Sequence, residues 1–346
     1  MKRTYDLLQV LSEYFEVYLP ATKGLSMNTI RSYQYAFQLL FEYLYSQKNL
    51  SAEKVSFCDL EGETIEQFLS WLETERNCSP ATRNQRLAAI SSFAKYAINK
   101  HFSSALTFSS TVSNIPQKKK PKKSLSYFTL EEVSVLLRMP DKTTDIEKRD
   151  RVLLSVLYAS GARAQELCDL TVNDIRFGTK TSLRLVGKGN KARTITIPDN
   201  CAQLLKKHLK RNKLDIETQR SRHVFSSQTH EHMTISCIEC LVKKYVSKAR
   251  IERLDLFPES QYSPHSFRHS IAVHMLEVEI PLPVIKNFLG HASIETTLIY
   301  ATVSDDLANK YLRNRSFVNE IVVNDEGMDS PIKSTMPFLE RVMKRK

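Results

Sequence analysis

Apolar side chains recur at three- and four-residue spacing through residues 7–100, a pattern that predicts amphipathic α-helices. A second helix begins after Ser26, and Ser79-Pro80 opens a fourth, since serine caps helices well and proline suits their first position. The inward positions of the four helices are Leu8, Leu11 and Phe15; Ile30, Phe37, Leu40 and Leu44; Ile65, Phe68, Leu69 and Leu72; and Leu87, Ile90, Phe93 and Ala97. Four such helices can bury one core, so residues 1–112 are predicted to form a four-helix domain.

The pattern of the second half predicts helices interrupted by one β-hairpin. Thr129 starts a capping box and a helix, and a longer helix over residues 144–160 should end at Gly161. Residues 182–186 and 194–197 are predicted strands on either side of a glycine-rich turn. Further helices should begin at Asp199, at Thr234 and at Ser263-Pro264. The fold class is therefore mainly α with a small β-hairpin or sheet.

The last predicted elements lie close together in the chain. Gly290 should end a short helix, and Ser293 should cap the next one. We expect Ile294, Leu298 and Ile299 to pack that last helix against the protein, with Tyr300 near its end. Together these elements belong to a second domain over residues 126–315, followed by a charged tail over residues 316–346.

Residues 113–125 differ from both flanking regions, because Pro116 and Pro121 bracket lysines that continue beyond them. Such a stretch buries no apolar surface and repels itself, so it is predicted to be an extended linker. The whole chain of 346 residues carries 50 Lys and Arg against 38 Asp and Glu, a formal charge of +12. That excess favours a polyanionic partner, although an anionic membrane surface would fit the same balance.

Other features of the composition bear on location. Six scattered cysteines in a chain of this length are typical of reduced cytosolic thiols rather than of a disulfide framework. No run of about 20 apolar residues is present, so the sequence predicts no membrane-spanning segment and no membrane partner. We therefore expect a cytoplasmic protein.

Six residues form the candidate chemical site. His265 and Arg268 are three residues apart and should project from one helix face, and His291 and Tyr300 follow in the next two elements. Upstream, Arg163 follows Gly161 at the start of a helical turn, with Glu166 close enough to hold its guanidinium. The sixth is Lys188, in the hairpin turn Gly187-Lys188-Gly189, where Lys191 and Arg193 are competing candidates. Each residue alone has an ordinary structural explanation, but together they suggest a site for an anion and a nucleophile.

The order of these residues resembles that of the tyrosine recombinase, or phage integrase, family over about residues 10–312. The family pattern is an arginine, a hairpin lysine, a His-x-x-Arg, a second histidine or tryptophan, and a tyrosine nine residues later. This chain has Arg163, Lys188, His265 with Arg268, His291 and Tyr300. The resemblance implies an N-terminal SAM-like core-binding domain and an α+β catalytic domain.

The resemblance also implies a reaction. Tyr300 would attack a DNA phosphate to form a 3′-phosphotyrosine, with His265 as the base or the group that orients the attack. Arg163, Arg268 and His291 would hold the phosphate oxygens. Lys188 would protonate the leaving 5′-oxygen. No cofactor and no metal ion are expected, because guanidinium groups provide the positive charge.

The implied partner is double-stranded DNA, bound by a homo-tetramer, alone or with related recombinase subunits, that passes through a Holliday junction at the bacterial nucleoid. Candidate phosphate contacts are Arg83 and Arg86 on the fourth helix and Lys118, Lys119 and Lys120 in the linker.

The implied role is integration, excision or transposition of a mobile element. The alternatives are an Xer-type resolvase of chromosome or plasmid dimers, a non-cleaving DNA-binding protein of the same fold, and a type IB topoisomerase. A zinc site at Cys237 and Cys240 is disfavoured because no matching second cysteine pair follows.

Overall fold

The computed structural model describes residues 4–100, 102–119, 125–141 and 143–301, and the chain divides into two compact units, Met1–Lys123 and Ser124–Lys346. We call them the N-terminal and the C-terminal unit. Lys120, the two predicted linker lysines beyond it and the predicted tail over residues 316–346 lie outside the described residues. Within the described part, none of the helices is long and apolar enough to cross a membrane.

The described residues of the N-terminal unit form helices joined by short loops, with no strand among them. The first helix continues into a π-helical segment, Tyr14–Thr22. Two short 3₁₀ turns separate the second α-helix from the third. The α-helices are α1 (Thr4–Glu13), α2 (Met27–Lys48), α3 (Gly62–Thr74), α4 (Pro80–Lys100) and α5 (Phe102–Asn114).

The predicted inner faces of this unit are correct for α2, α3 and α4. Phe37, Phe68 and Phe93 are almost fully buried in one core, where Phe37 and Phe93 meet edge to face with 5.2 Å between ring centroids. The predicted cap at Ser26 is confirmed, since its hydroxyl accepts a hydrogen bond from the Thr29 amide. Helix α5 lies outside the four helices that the periodicity predicted, and its Phe108 belongs to the same core.

The C-terminal unit contains eight described α-helices and one small sheet. The helices are α6 (Leu130–Arg138), α7 (Asp145–Ser160), α8 (Ala164–Cys168), α9 (Asp199–Arg211), α10 (Ile235–Glu252), α11 (Pro264–Glu277), α12 (Leu282–Leu289) and α13 (Glu295–Ala301). The strands are β1 (Ile175–Arg176), β2 (Ser182–Val186) and β3 (Ala192–Thr196). The predicted class, mainly α with a small sheet, is confirmed.

The local signals that predicted these helices have the expected geometry. Thr129 and Glu132 form both hydrogen bonds of a capping box. Gly161 and Gly290 end α7 and α12 with left-handed backbones, at φ values of 56° and 66°. Glycine adopts a left-handed backbone readily because it has no Cβ. The glycines at these two positions therefore determine where both helices end.

The sheet is antiparallel in the order β1-β2-β3. Ser182 pairs with Thr196 and Val186 with Ala192, which makes β2 and β3 the arms of the predicted hairpin. Leu183, Leu185 and Ile195 point into the core of the unit. The turn between the arms, residues 187–191, lies beyond this anchored part.

The expected packing of α13 is wrong. Ile294, Leu298 and Ile299 are all exposed, whereas Thr297 and Tyr300 are the buried residues of this helix. Tyr300 joins a small core with side chains of α11 and α12. Both buried residues carry hydroxyl groups, which need hydrogen-bond partners inside the protein. The partners available to those hydroxyls therefore set the rotation of the helix, rather than its apolar residues.

Candidate active site

Tyr300 lies between two histidines. Its hydroxyl is 3.1 Å from Nδ1 of His269, and its ring stacks on that of His291 with 6.2 Å between centroids. The side chain is 1% exposed. Burial raises the pKa of Tyr300 above its ordinary value of 10.0, although the charges of Arg268 and Arg163 oppose the shift. In this arrangement the phenol keeps its proton at neutral pH, so an attack by its oxygen requires a group that accepts that proton.

Arg268 is a buried guanidinium fixed to two turns. Its Nη1 donates to the Gly161 carbonyl at 2.6 Å, and its Nη2 donates to the Leu289 carbonyl at 2.5 Å. Burial and the nearby charges of Arg163 and Arg193 lower the pKa of Arg268 to about 10, so it remains positive at neutral pH. The turn at Gly161 leads to Arg163, and the turn after Leu289 leads to His291. Arg268 therefore links the segment that carries Arg163 to the segment that carries His291.

Arg163 stands at the start of α8 and is held by Glu166, as the spacing predicted. Its backbone amide and its Nη1 both donate to the Glu166 carboxylate, at 2.9 and 2.7 Å. The Arg163 side chain is 32% exposed, whereas the Glu166 side chain is 2% exposed. One carboxylate therefore anchors Arg163 from the protein side and leaves the rest of the guanidinium open to a ligand.

His265 and His291 complete the group that the sequence predicted. His265 is exposed at the start of α11. The partial desolvation of its ring and the charges of Arg268 and Arg163 lower its pKa. Nδ1 of His291 is 2.9 Å from the buried Thr297 hydroxyl. This hydrogen bond fixes the orientation of the His291 ring, whose other nitrogen remains for a further partner.

The structure thus brings together five of the six predicted site residues, in a group that joins Arg163, Arg268, His265, His291 and Tyr300. The sixth, Lys188, follows Gly187 in the hairpin turn, and its side chain lies outside the described part of the chain. A pocket of about 420 Å³ lies between this turn and His291, lined also by Arg163, Lys191 and Arg193.

Two residues in contact with this group were not among those predicted. His269 lies four residues after His265 on α11, and the two rings stack with 6.1 Å between centroids. Thr297 lies three residues before Tyr300. In both cases the helical spacing was a signal, because residues three or four apart share a face.

The predicted phosphate contacts of the N-terminal unit have different surroundings. Arg83 is 7% exposed, and its Nη1 donates to the Pro116 carbonyl at 3.1 Å, so little of its guanidinium is open to DNA. Arg86 is half-buried over the ring of Tyr35. Lys118 is exposed and pairs with Glu73 at 2.6 Å, and Lys119 is exposed.

Cys237 and Cys240 both lie on α10, and Cys240 is exposed. Among the described residues, no three His, Cys, Asp or Glu side chains are grouped so that they could hold a metal ion.

The buried histidines predict a pH-dependent stability. Burial and neighbouring positive groups lower the pKa of both His269 and His291 from 6.5 to about 4. Between these pH values the unfolded chain binds protons that the folded chain does not, so the free energy of unfolding should fall as pH drops from 6.5 to 4. Thermal unfolding across that range measures the slope, and His269→Asn should make it shallower. An equal slope in the variant would contradict the assignment.

Comparison with known proteins gives two family matches along the chain. Residues 126–306 match the phage integrase family, and residues 12–101 match the N-terminal SAM-like domain of phage integrases. The second match confirms the predicted class of the N-terminal unit.

Individual proteins give the same result. The chain is 33% identical to the tyrosine recombinase XerC of Herpetosiphon aurantiacus, over 88% of this chain and 94% of that protein. It is 29% identical to the putative integrase/recombinase y4rC of Sinorhizobium fredii, over 87% of this chain and 89% of that protein. The crystal structure of the XerH site-specific recombinase bound to its difH substrate has the same fold, with a TM-score of 0.64 and 19% identity over 91% of this chain and 90% of that one.

Proposed function

The chain belongs to the phage integrase family and is a site-specific DNA recombinase, and we propose that Tyr300 is the nucleophile with which it cleaves and rejoins DNA. The observation that carries this assignment is the position of the Tyr300 hydroxyl, 3.1 Å from a histidine nitrogen and beside the buried guanidinium of Arg268. A phenol needs a proton acceptor and nearby positive charge to attack a phosphodiester at neutral pH, and both are close to Tyr300.

We assign the phosphate clamp to Arg163 and Arg268. Guanidinium groups bind phosphate oxygens with paired N–H donors, and they offset the charge that develops on those oxygens during the attack. His291 would donate a further hydrogen bond to the same phosphate. Arg268 keeps its charge at neutral pH and is held by two backbone carbonyls, so this part of the clamp is in place before DNA arrives.

The two histidines of α11 have different proposed roles. His269 is in hydrogen-bond contact with the nucleophile, which makes it the better placed acceptor of the phenolic proton once the negative charge of a bound phosphate raises its pKa from about 4. His265 is exposed, so it is the better placed of the two to contact the DNA phosphate. Lys188 keeps its proposed role as the acid that protonates the leaving 5′-oxygen, because it follows the Gly187 backbone that packs against Glu166 and Arg163.

The product of the attack would be a 3′-phosphotyrosine and a free 5′-hydroxyl. The covalent bond to Tyr300 conserves the energy of the phosphodiester, so a 5′-hydroxyl from another duplex can reverse the step without ATP. Two duplexes exchange four strands, which calls for four active sites. We therefore propose a homo-tetramer on DNA, alone or with related recombinase subunits, acting through a Holliday junction at the nucleoid in the cytoplasm.

Two biological roles fit this reaction. Integration, excision or transposition of a mobile element is supported by the similarity to the putative integrase/recombinase y4rC. Resolution of chromosome or plasmid dimers is supported by the 33% identity to XerC over nearly the whole length of both proteins. The crossover sequence decides between them, since a resolvase acts at a site in the replicon and an element integrase at the ends of the element.

Covalent capture tests the function and identifies the crossover sequence in the same experiment. The protein is incubated with nicked duplexes of random sequence, and strands that stay bound under denaturing conditions are sequenced. We expect a 3′-phosphotyrosyl adduct on a defined sequence, whose position in the source genome identifies the role. Sequence-specific binding with no adduct would instead indicate a non-cleaving DNA-binding protein.

A further inference from the structure

Arg193 on β3 is held near the site by three hydrogen bonds. Its Nη1 and Nη2 donate to the two carboxylate oxygens of Glu166, each at 2.8 Å, and its Nε donates to the Phe288 carbonyl at 3.0 Å. The Arg193 side chain is 12% exposed. Three of its five N–H donors are thus engaged, in a paired geometry that only a guanidinium can adopt.

Glu166 consequently binds two guanidiniums at once, those of Arg193 and Arg163. Burial alone would raise the pKa of Glu166, but the hydrogen bonds from Arg193 and Arg163 outweigh burial and hold the pKa below its ordinary value. The carboxylate is therefore ionised. Two positive groups share one negative group, which leaves one net positive charge to face a phosphate.

Without Arg193 the balance would change. Glu166 would then have Arg163 as its one remaining guanidinium partner, in a nearly dry environment where an ion pair is strong. The pair would be neutral, and Arg163 would be drawn towards the carboxylate. A clamp arginine in that state binds a phosphate less well, because it must first leave its counter-ion.

The close packing of two glycines indicates that the Arg193–Glu166 pair is fixed rather than mobile. A Cβ on Gly290 would lie 2.9 Å from Cδ of Arg193, and a Cβ on Gly187 would lie 3.0 Å from Oε1 of Glu166. The backbones of the hairpin turn and of the turn before His291 therefore press directly on the pair. Arg193 joins both turns to the segment that carries Arg163.

We propose that Arg193 is a positioning residue for DNA cleavage, which neutralises part of the charge of Glu166 so that Arg163 is free to bind the scissile phosphate. The inference rests on the proposed function. It also separates Arg193 from Lys188 and Lys191 in the same hairpin, because a guanidinium with fixed partners does not give up a proton readily enough to act as a general acid.

The test compares variants with the unmodified chain by the rate at which the covalent adduct forms in a single turnover. The substrate is the duplex selected by covalent capture, and each rate is divided by the amount of folded protein. Arg193→Gln should slow cleavage at saturating DNA by roughly 10- to 100-fold, less than the loss of a clamp donor itself. The DNA concentration at half-saturation should stay within about threefold, because the remote DNA contacts are unchanged. Arg193→Lys, which keeps the charge, should lie between Arg193→Gln and the unmodified chain.

The decisive variant removes both partners. In Glu166→Gln/Arg193→Gln the negative charge that would capture Arg163 is absent, while the glutamine oxygen at position 166 can still accept a hydrogen bond from Arg163, so cleavage should be faster than in Arg193→Gln alone. Arg184→Gln is the control, because Arg184 lies on the neighbouring strand in an exposed ion pair with Asp174. Thermal unfolding of each variant gives the folded fraction.

Two results would overturn the inference while leaving the proposed function intact. One is normal cleavage by Arg193→Gln at saturating DNA, and the other is a double variant as slow as the single one. Absence of any adduct with the unmodified chain would overturn the proposed function and the inference with it.

Discussion

Tyr300→Phe should abolish the covalent protein–DNA adduct and leave binding to the selected duplex unchanged. The substitution removes the one oxygen that we propose to attack the phosphate, while the ring that packs against α11 and α12 remains. Loss of the hydrogen bond to His269 should cost only about 0.5–1.5 kcal/mol of stability. Denaturing gels measure the adduct, and mobility shift of the same labelled duplex measures binding.

The matched control is Tyr158→Phe. Tyr158 is a half-buried tyrosine of the same unit whose hydroxyl is 2.9 Å from Nδ1 of His274, so its loss removes the same kind of hydrogen bond. We expect this variant to form the adduct at the normal rate. An adduct that persists in Tyr300→Phe would show that another residue is the nucleophile.

The parts of the fold that the sequence predicted are those set by local interactions. Helix ends depend on residues within one turn of the chain, so they can be predicted from short stretches of sequence. This holds for the caps at Thr129 and Ser26 and for the glycines that end helices at positions 161 and 290. The inner faces of the long helices follow from periodicity for the same reason.

Helix α5 shows where this reasoning fails. Residues 102–114 contain seven serine or threonine residues, which favour a helix only weakly, so no strong signal marked the segment. Its Ala105, Phe108 and Val112 are buried in the core of the N-terminal unit. Burial against other helices stabilises the segment as a helix, and that contribution is invisible in a local pattern.

Arg83 and α13 show a second limit, because long-range hydrogen bonds decide both. One partner of Arg83 is the carbonyl of Pro116, 33 residues away, so the burial of Arg83 could not be inferred from its place on the polar side of α4. On α13 the partners of Thr297 and Tyr300 lie on other elements, His291 and His269.

The site itself was predictable as a set of residue types, but its connections were not. The identity and order of Arg163, His265, Arg268, His291 and Tyr300 are visible in the chain. Arg193 shares Glu166 with Arg163, although Arg193 and Glu166 are 27 residues apart in the chain. This contact depends on how β3 lies against the start of α8, which the sequence does not show. For this reason the hairpin cations could not be ranked from the sequence.

Arg268→Gln should slow cleavage by about 10²- to 10³-fold, the usual effect of removing a donor that stabilises charge in a transition state. It should also destabilise the protein by about 1–3 kcal/mol for each carbonyl left without a donor. Those carbonyls belong to Gly161 and Leu289, at the ends of α7 and α12. The variant would therefore disturb the turns that lead to Arg163 and His291 as well as the clamp.

A control arginine separates the two effects. Arg250 is half-buried on α10, and its Nε and Nη2 both donate to the Phe257 carbonyl, at 3.2 and 3.1 Å. Arg250→Gln should thus lower the free energy of unfolding in urea without slowing cleavage by the folded protein. In one outcome, Arg268→Gln loses as much stability as Arg250→Gln and still cleaves at the normal rate per folded molecule. That result would limit Arg268 to a structural role, the hydrogen bonding of two turns. A loss of rate that exceeds the loss of folded protein would place the effect of Arg268 within the folded site, at the phosphate and at the two turns it holds, because both arginines support backbone carbonyls and Arg268 alone of the two lies beside Tyr300.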